Sequence, residues 1–284
     1  MLSLEAPGKG DFLKHEDCGL GGKNMHYTRN MLKVVVLSGI IFFAASHAGA
    51  HQLWINVEKY TPASAGPVLL NVGWGHSFAN PVGNILSDWD RLAEVVMFDP
   101  KGVRLAIVPT NSIDFKTENA LKSEGTYLLS VKRKEGFRSQ TTEGYKAQSK
   151  VGLANVLDCT FSGGYAKAVV QLGKGGGDFF SKPLGHALEI IPLKDPALIR
   201  QGDLLPIKVL YRGEPLRAEV RSTYAGFARD AWAYVSGTNK EGITQIKILQ
   251  SGIWLLKVNH KVPYHDPAAC DQSSFAATLT FEVK

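Results

Sequence analysis

Seven short apolar runs, at 188–193, 205–211, 216–223, 233–235, 243–249, 252–258 and 275–283, are separated by turn residues at near-regular intervals. Runs this short leave no room for long helices, and they alternate with punctuation such as Arg212-Gly213-Glu214-Pro215 and Asn239-Lys240-Glu241-Gly242. About seven strands in about a hundred residues is the rhythm of an immunoglobulin-like β-sandwich. The antibody pattern of Cys, Trp and Cys is absent, so the expectation concerns architecture alone.

The stretch before it is also β-rich. Runs at 53–57, 68–72, 125–131 and 166–172 read as strands, and Asp99-Pro100-Lys101-Gly102 joins two more as a hairpin. Residues 137–160 are the least readable, and 145–157 suits a short helix or irregular cover. Gly173-Lys174-Gly175-Gly176-Gly177-Asp178 breaks the pattern. It lacks the spacing of a phosphate-binding loop, and it marks a boundary between a β-sandwich at 51–175 and the immunoglobulin-like one at 176–284. The fold class expected is all-β.

Residues 1–50 differ from both. Residues 34–45 are apolar, too short for a comfortable membrane span, and Ala48-x-Ala50 is the small-residue pattern cut by signal peptidase. Initiation at Met25 or Met31 gives a more usual signal length. Cleavage after Ala50 delivers a periplasmic protein that begins at His51. The net charge of +6 is mild, and without a basic stripe interleaved with aromatics it argues against nucleic acid. Once the leader is removed, Cys159 and Cys270 remain, either bonded in an oxidising compartment or buried as separate thiols.

A mature His51 carries an α-amine and an imidazole on one residue, a bidentate pair for a borderline metal. His76 and His186 each follow a glycine at a strand end, where a loop can aim a ring at a common point. The three are expected to meet where the two domains touch. His265, beside Asp266, is a further candidate ligand; His260 reads as an ordinary strand-end residue and Glu189 as a surface one. Neither G-x-S-x-G nor H-E-x-x-H occurs, and no enzyme is expected.

His51-x-Leu53-Trp54 after Ala48-x-Ala50, Gly75-His76-Ser77-Phe78, the run from Gly185-His186 to Asp195-Pro196, and the ending from Phe275 to Phe281 together resemble one family. It consists of exported proteins described as periplasmic components of cobalt/nickel uptake systems, which carry a domain-of-unknown-function label. The resemblance covers 51–284. It implies a metal-binding accessory, with His51, His76 and His186 as ligands, that passes nickel or cobalt to a membrane transporter. Copper and zinc suit the same donors. Two other classes remain open: a copper histidine-brace enzyme, and a structural β-sandwich that binds no metal.

Overall fold

The computed structural model describes residues 51–76, 78, 85–228 and 231–284. The expected signal segment and Ser77 lie outside them. The first strands are β1 (Gln52–Val57), β2 (Leu69–Gly75), β3 (Leu92–Phe98), β4 (Arg104–Leu105), β5 (Ile107–Pro109) and β6 (Asp114–Thr117). They are followed by β7 (Gly125–Arg133), β8 (Gly136–Thr141), β9 (Gly144–Lys146) and β10 (Val156–Leu172). The second half supplies β11 (Leu188–Pro192), β12 (Leu204–Tyr211), β13 (Glu214–Pro215), β14 (Glu219–Tyr224), β15 (Tyr234–Gly237), β16 (Ile243–Lys247), β17 (Gly252–Pro263) and β18 (Gln272–Val283). Among the described residues the helices are three-residue 3-10 turns, and none is long and apolar enough to cross a membrane.

The protein is all-β and built of packed sheets. A ten-stranded sheet runs β15-β14-β17-β18-β10-β7-β3-β4, with β8 and β9 attached to β10. A sheet of β1-β2-β6-β5 covers one of its faces, and a sheet of β11, β12, β13 and β16 covers the other. Successive side chains on a strand point to opposite faces, and β10 shows the division. Ala166, Ala168, Val170 and Leu172 join the core under β1 and β2, whereas Tyr165 and Val169 join the core under β11 and β12. On β7 the same alternation sends Tyr127, Leu129 and Val131 one way and Leu128 the other.

The expected boundary near residue 175 separates the strands that build each core, but not two sheets. β10 pairs in parallel with β18, from Thr160 opposite Gln272 to Ala168 opposite Thr280. Parallel neighbours need a crossover, and the whole of β11 to β17 serves as this one. Residues 49–284 accordingly form one compact unit. The Thr278 and Thr280 hydroxyls then donate to the carbonyls of Leu53 and Ile55, which ties β1 across the face of β18.

The segment expected as helix or cover is a β8–β9 hairpin followed by the first half of β10. Gly163 shows why that half was missed. A Cβ there would come within 2.8 Å of the Tyr165 hydroxyl and 3.0 Å of the Phe275 ring, so the crowded position excludes the residue types that announce a strand.

Cys159 and Cys270 are bonded, with Cα atoms 5.0 Å apart, at the point where β10 and β18 begin to pair. The bridge closes a separation of 111 residues, and the constraint it places on the unfolded chain grows with that length. Replacing both cysteines with serine is expected to cost about 2–4 kcal/mol. A lower urea midpoint at unchanged m-value checks this; an unchanged midpoint contradicts it.

Candidate metal centre

β1 and β2 are antiparallel, with Gln52 opposite Gly75 and Leu53 opposite Trp74. One further step of that register sets His51 opposite His76. Their ring centroids are 4.5 Å apart, tilted by 59°. Directly opposed residues project to the same face, so two histidines 25 positions apart become neighbours at the open end of one hairpin. The buried Gln52 side chain closes that end, its Nε2 donating to the His76 carbonyl at 3.2 Å. Trp74, two residues before His76 and on the same face, meets the His51 ring edge-on at 5.6 Å.

The opposite face of the hairpin anchors it. Trp54 lies across Gly73, its register partner, where a Cβ would fall 2.0 Å from the indole. Its Nε1 donates to Asn56 Oδ1, and Asn56 Nδ2 donates to Asn71 Oδ1, both at 2.8 Å. Phe78 packs edge-on against Trp54 at 6.2 Å. The glycine at 73 is therefore a packing requirement, and it keeps β2 in the register that pairs the two histidines.

Desolvation holds the His51 imidazole below its usual pKa, assisted by His76 and then by the charge of Arg138. A ring kept neutral in this way presents a lone pair to a metal at neutral pH. Two exposed imidazoles on one face can share an ion with small side-chain rotations. Cleavage after Ala50 would add the α-amine of His51 as a third donor.

The structure does not bring His186 to this pair. It stands before β11, on the far side of the ten-stranded sheet, stacked on Tyr165 at 5.0 Å. Its Nε2 and the Ser130 hydroxyl are 3.1 Å apart, and its buried Nδ1 has no partner. Ser130 and Tyr165 face the second core, whereas His51 continues the face of Leu53 and Ile55, which belong to the first. The sheet itself separates the two sites. His265 is exposed beside Tyr264, and His260 packs against Tyr211. Among the described residues no group of three His, Cys, Asp or Glu side chains is arranged to hold a metal. The observed candidate centre is thus a pair of imidazoles, not the expected triad.

His186 has a different consequence. Only 5% exposed, its pKa is lowered to about 4, by burial first and then by the charge of Lys167. The unfolded chain takes up this proton near pH 6.5 while the folded chain does not until about pH 4. Stability should therefore fall as pH drops through that window, by about 3 kcal/mol from this group. Urea unfolding at pH 7 and pH 4.5 measures the loss, and His186→Gln should flatten it; an equally steep loss in the variant refutes the assignment.

Glu189, expected at the surface, is buried and bonded to Lys167 at 2.5 Å. Lys167 occupies a strand position among apolar residues, and only the approach of β11 gives it a partner. Sequence reasoning also missed Trp74, Arg133 and Arg138 around the histidine pair. Trp74 was legible in principle, since period-two spacing puts it on the face of His76. The two arginines reach the site by packing between sheets, and no local pattern marks them.

Residues 48–262 match a family described as "Domain of unknown function (DUF4198)". No curated protein matches the chain. Two solved structures are similar in part: a mouse coronavirus receptor-binding domain complexed with its murine receptor, and the adhesin InvE of Yersinia pseudotuberculosis. The first is 9% identical with a TM-score of 0.20, over 82% of this chain and 99% of that one. The second is 12% identical with a TM-score of 0.19, over 82% and 59%. Neither likeness bears on function.

Proposed function

This chain belongs to the DUF4198 family, and we propose that it is an exported protein that binds a divalent transition metal on the His51–His76 pair. The observation that carries the reading is the cross-strand pairing of the two rings at 4.5 Å, at a position that becomes the chain terminus if the leader is cut after Ala50. An α-amine and two imidazoles form a nitrogen set suited to nickel and cobalt, and to copper and zinc. Binding and release require only that protons and ligands exchange, so the site acts as a carrier. The cargo is nickel or cobalt and the recipient a membrane uptake transporter, in the periplasm.

Calorimetric titration of the chain beginning at His51 with Ni²⁺, Co²⁺, Cu²⁺ and Zn²⁺ tests the proposal. One equivalent bound at micromolar or tighter affinity supports it, and no binding of any of the four ends it. The same donors support a second reading as a copper histidine brace, because Cu²⁺ heads the general affinity order. Oxidised fragments from chitin or cellulose, given the copper form and a reductant, would favour that enzyme over the carrier.

A further inference from the structure

The surroundings of the histidine pair have the wrong charge for a bare dication. Arg138, exposed on β8, is near enough for its charge to depress protonation of His51, and its guanidinium lies over the Tyr145 ring at 3.6 Å. Arg133, at the end of β7, lies over Trp74 at 5.6 Å, and Trp74 in turn touches His51. Arg133 Nη2 donates to Ser162 Oγ at 2.9 Å, while its buried Nε has no acceptor.

Among the described residues neither guanidinium is paired with a carboxylate. The acids in the neighbourhood are engaged elsewhere: Asp88 bonds Arg91 at 2.8 Å, and Glu135 accepts the Tyr165 hydroxyl. Arg91 adds a further positive charge beside Arg133. A site with neutral nitrogen donors and no compensating acid would repel a doubly charged ion. The same arginines suit an ion that arrives already wrapped in carboxylates, because a guanidinium presents a planar fork of donors that matches a carboxylate. Trp74 and Tyr145 hold the two forks in place by their ring faces.

We infer that this site takes its metal as an anionic carboxylate chelate, with His51 and His76 on the metal and Arg138 and Arg133 on the free carboxylate oxygens. The inference rests on the metal-binding reading above and adds the class of its substrate: a small polycarboxylate complex of a divalent cation.

The probes are Ni²⁺ alone, citrate alone, and the one-to-one nickel citrate complex, whose net charge is negative. Equilibrium dialysis with labelled citrate, on the chain beginning at His51, reads whether the chelator stays on the protein. One citrate per chain is expected to be retained with nickel and none without it. Arg138→Gln, an exposed change that leaves the fold alone, should weaken citrate retention about tenfold while leaving the affinity for bare Ni²⁺ unchanged or higher. Arg133→Gln should do the same, with the far-UV spectrum as a folding control. If bare Ni²⁺ binds but citrate merely strips it from the protein, the chelate inference is overturned and the metal site stands. Retention of citrate without metal, or full retention by Arg138→Gln, also overturns it. If nickel binds in neither form, the metal reading fails and the chelate falls with it.

Discussion

A single residue added ahead of His51 is expected to lower the affinity for Ni²⁺ by about 100-fold, roughly 2.7 kcal/mol. The added residue converts the α-amine of His51 into an amide, which is no donor to nickel at neutral pH, and it breaks the ring through which one residue grips the ion twice. His76→Ala should be at least as severe, because it removes the imidazole facing His51 across the β1–β2 pair. Both side chains are exposed and belong to neither core, so the urea midpoint and the far-UV spectrum should stay as they were. His265→Ala, on an exposed residue beside Tyr264, is the control and should change nothing. Equal nickel affinity in the extended and native chains would remove the terminus from the site.

Lys167→Ala is expected to cost about 3–5 kcal/mol of stability, by leaving an uncompensated carboxylate in the interior. Lys167 and Glu189 are each 2% exposed and 2.5 Å apart, between the ten-stranded sheet and β11. Burial lowers the Lys167 pKa, against the pull of Glu189, so desolvation weighs heavily on this pair. Glu189 Oε1 also accepts the Leu184 backbone amide at 2.6 Å, and Lys167 Nζ donates to the Ile190 carbonyl at 3.3 Å. Replacing both partners, as Lys167→Met with Glu189→Leu, should recover most of the loss, since apolar side chains of similar volume carry no charge to strand. Chemical unfolding of the single and double variants measures both effects. A loss under about 1 kcal/mol in Lys167→Ala would mean that water reaches the remaining carboxylate.

The histidine pair was half legible. His51 and His76 could be chosen from their places at a terminus and in a Gly-His loop, because those places are local. Their meeting is also nearly local, since one hairpin register brings them together. His186 sits in the same kind of Gly-His motif and yet lies behind a sheet, because a motif records the loop and not the face toward which it turns. Cys159 and Cys270 show the same limit from the other side: spacing allowed a bond or two separate thiols, and the parallel pairing of β10 with β18 decided for the bond.

Alternation of apolar and turn residues was enough to determine an all-β chain and most of its strands, because strand formation needs only a period of two and flanking breakers. Sequence also determined the two histidines that a hairpin would bring together. Tertiary structure alone decided that the halves share one sheet, that Lys167 finds Glu189, and that two arginines stand by the histidine pair. Those relations join residues from separate strands across a sheet face or between layers, and a backbone pattern carries no information about which layer will cover it.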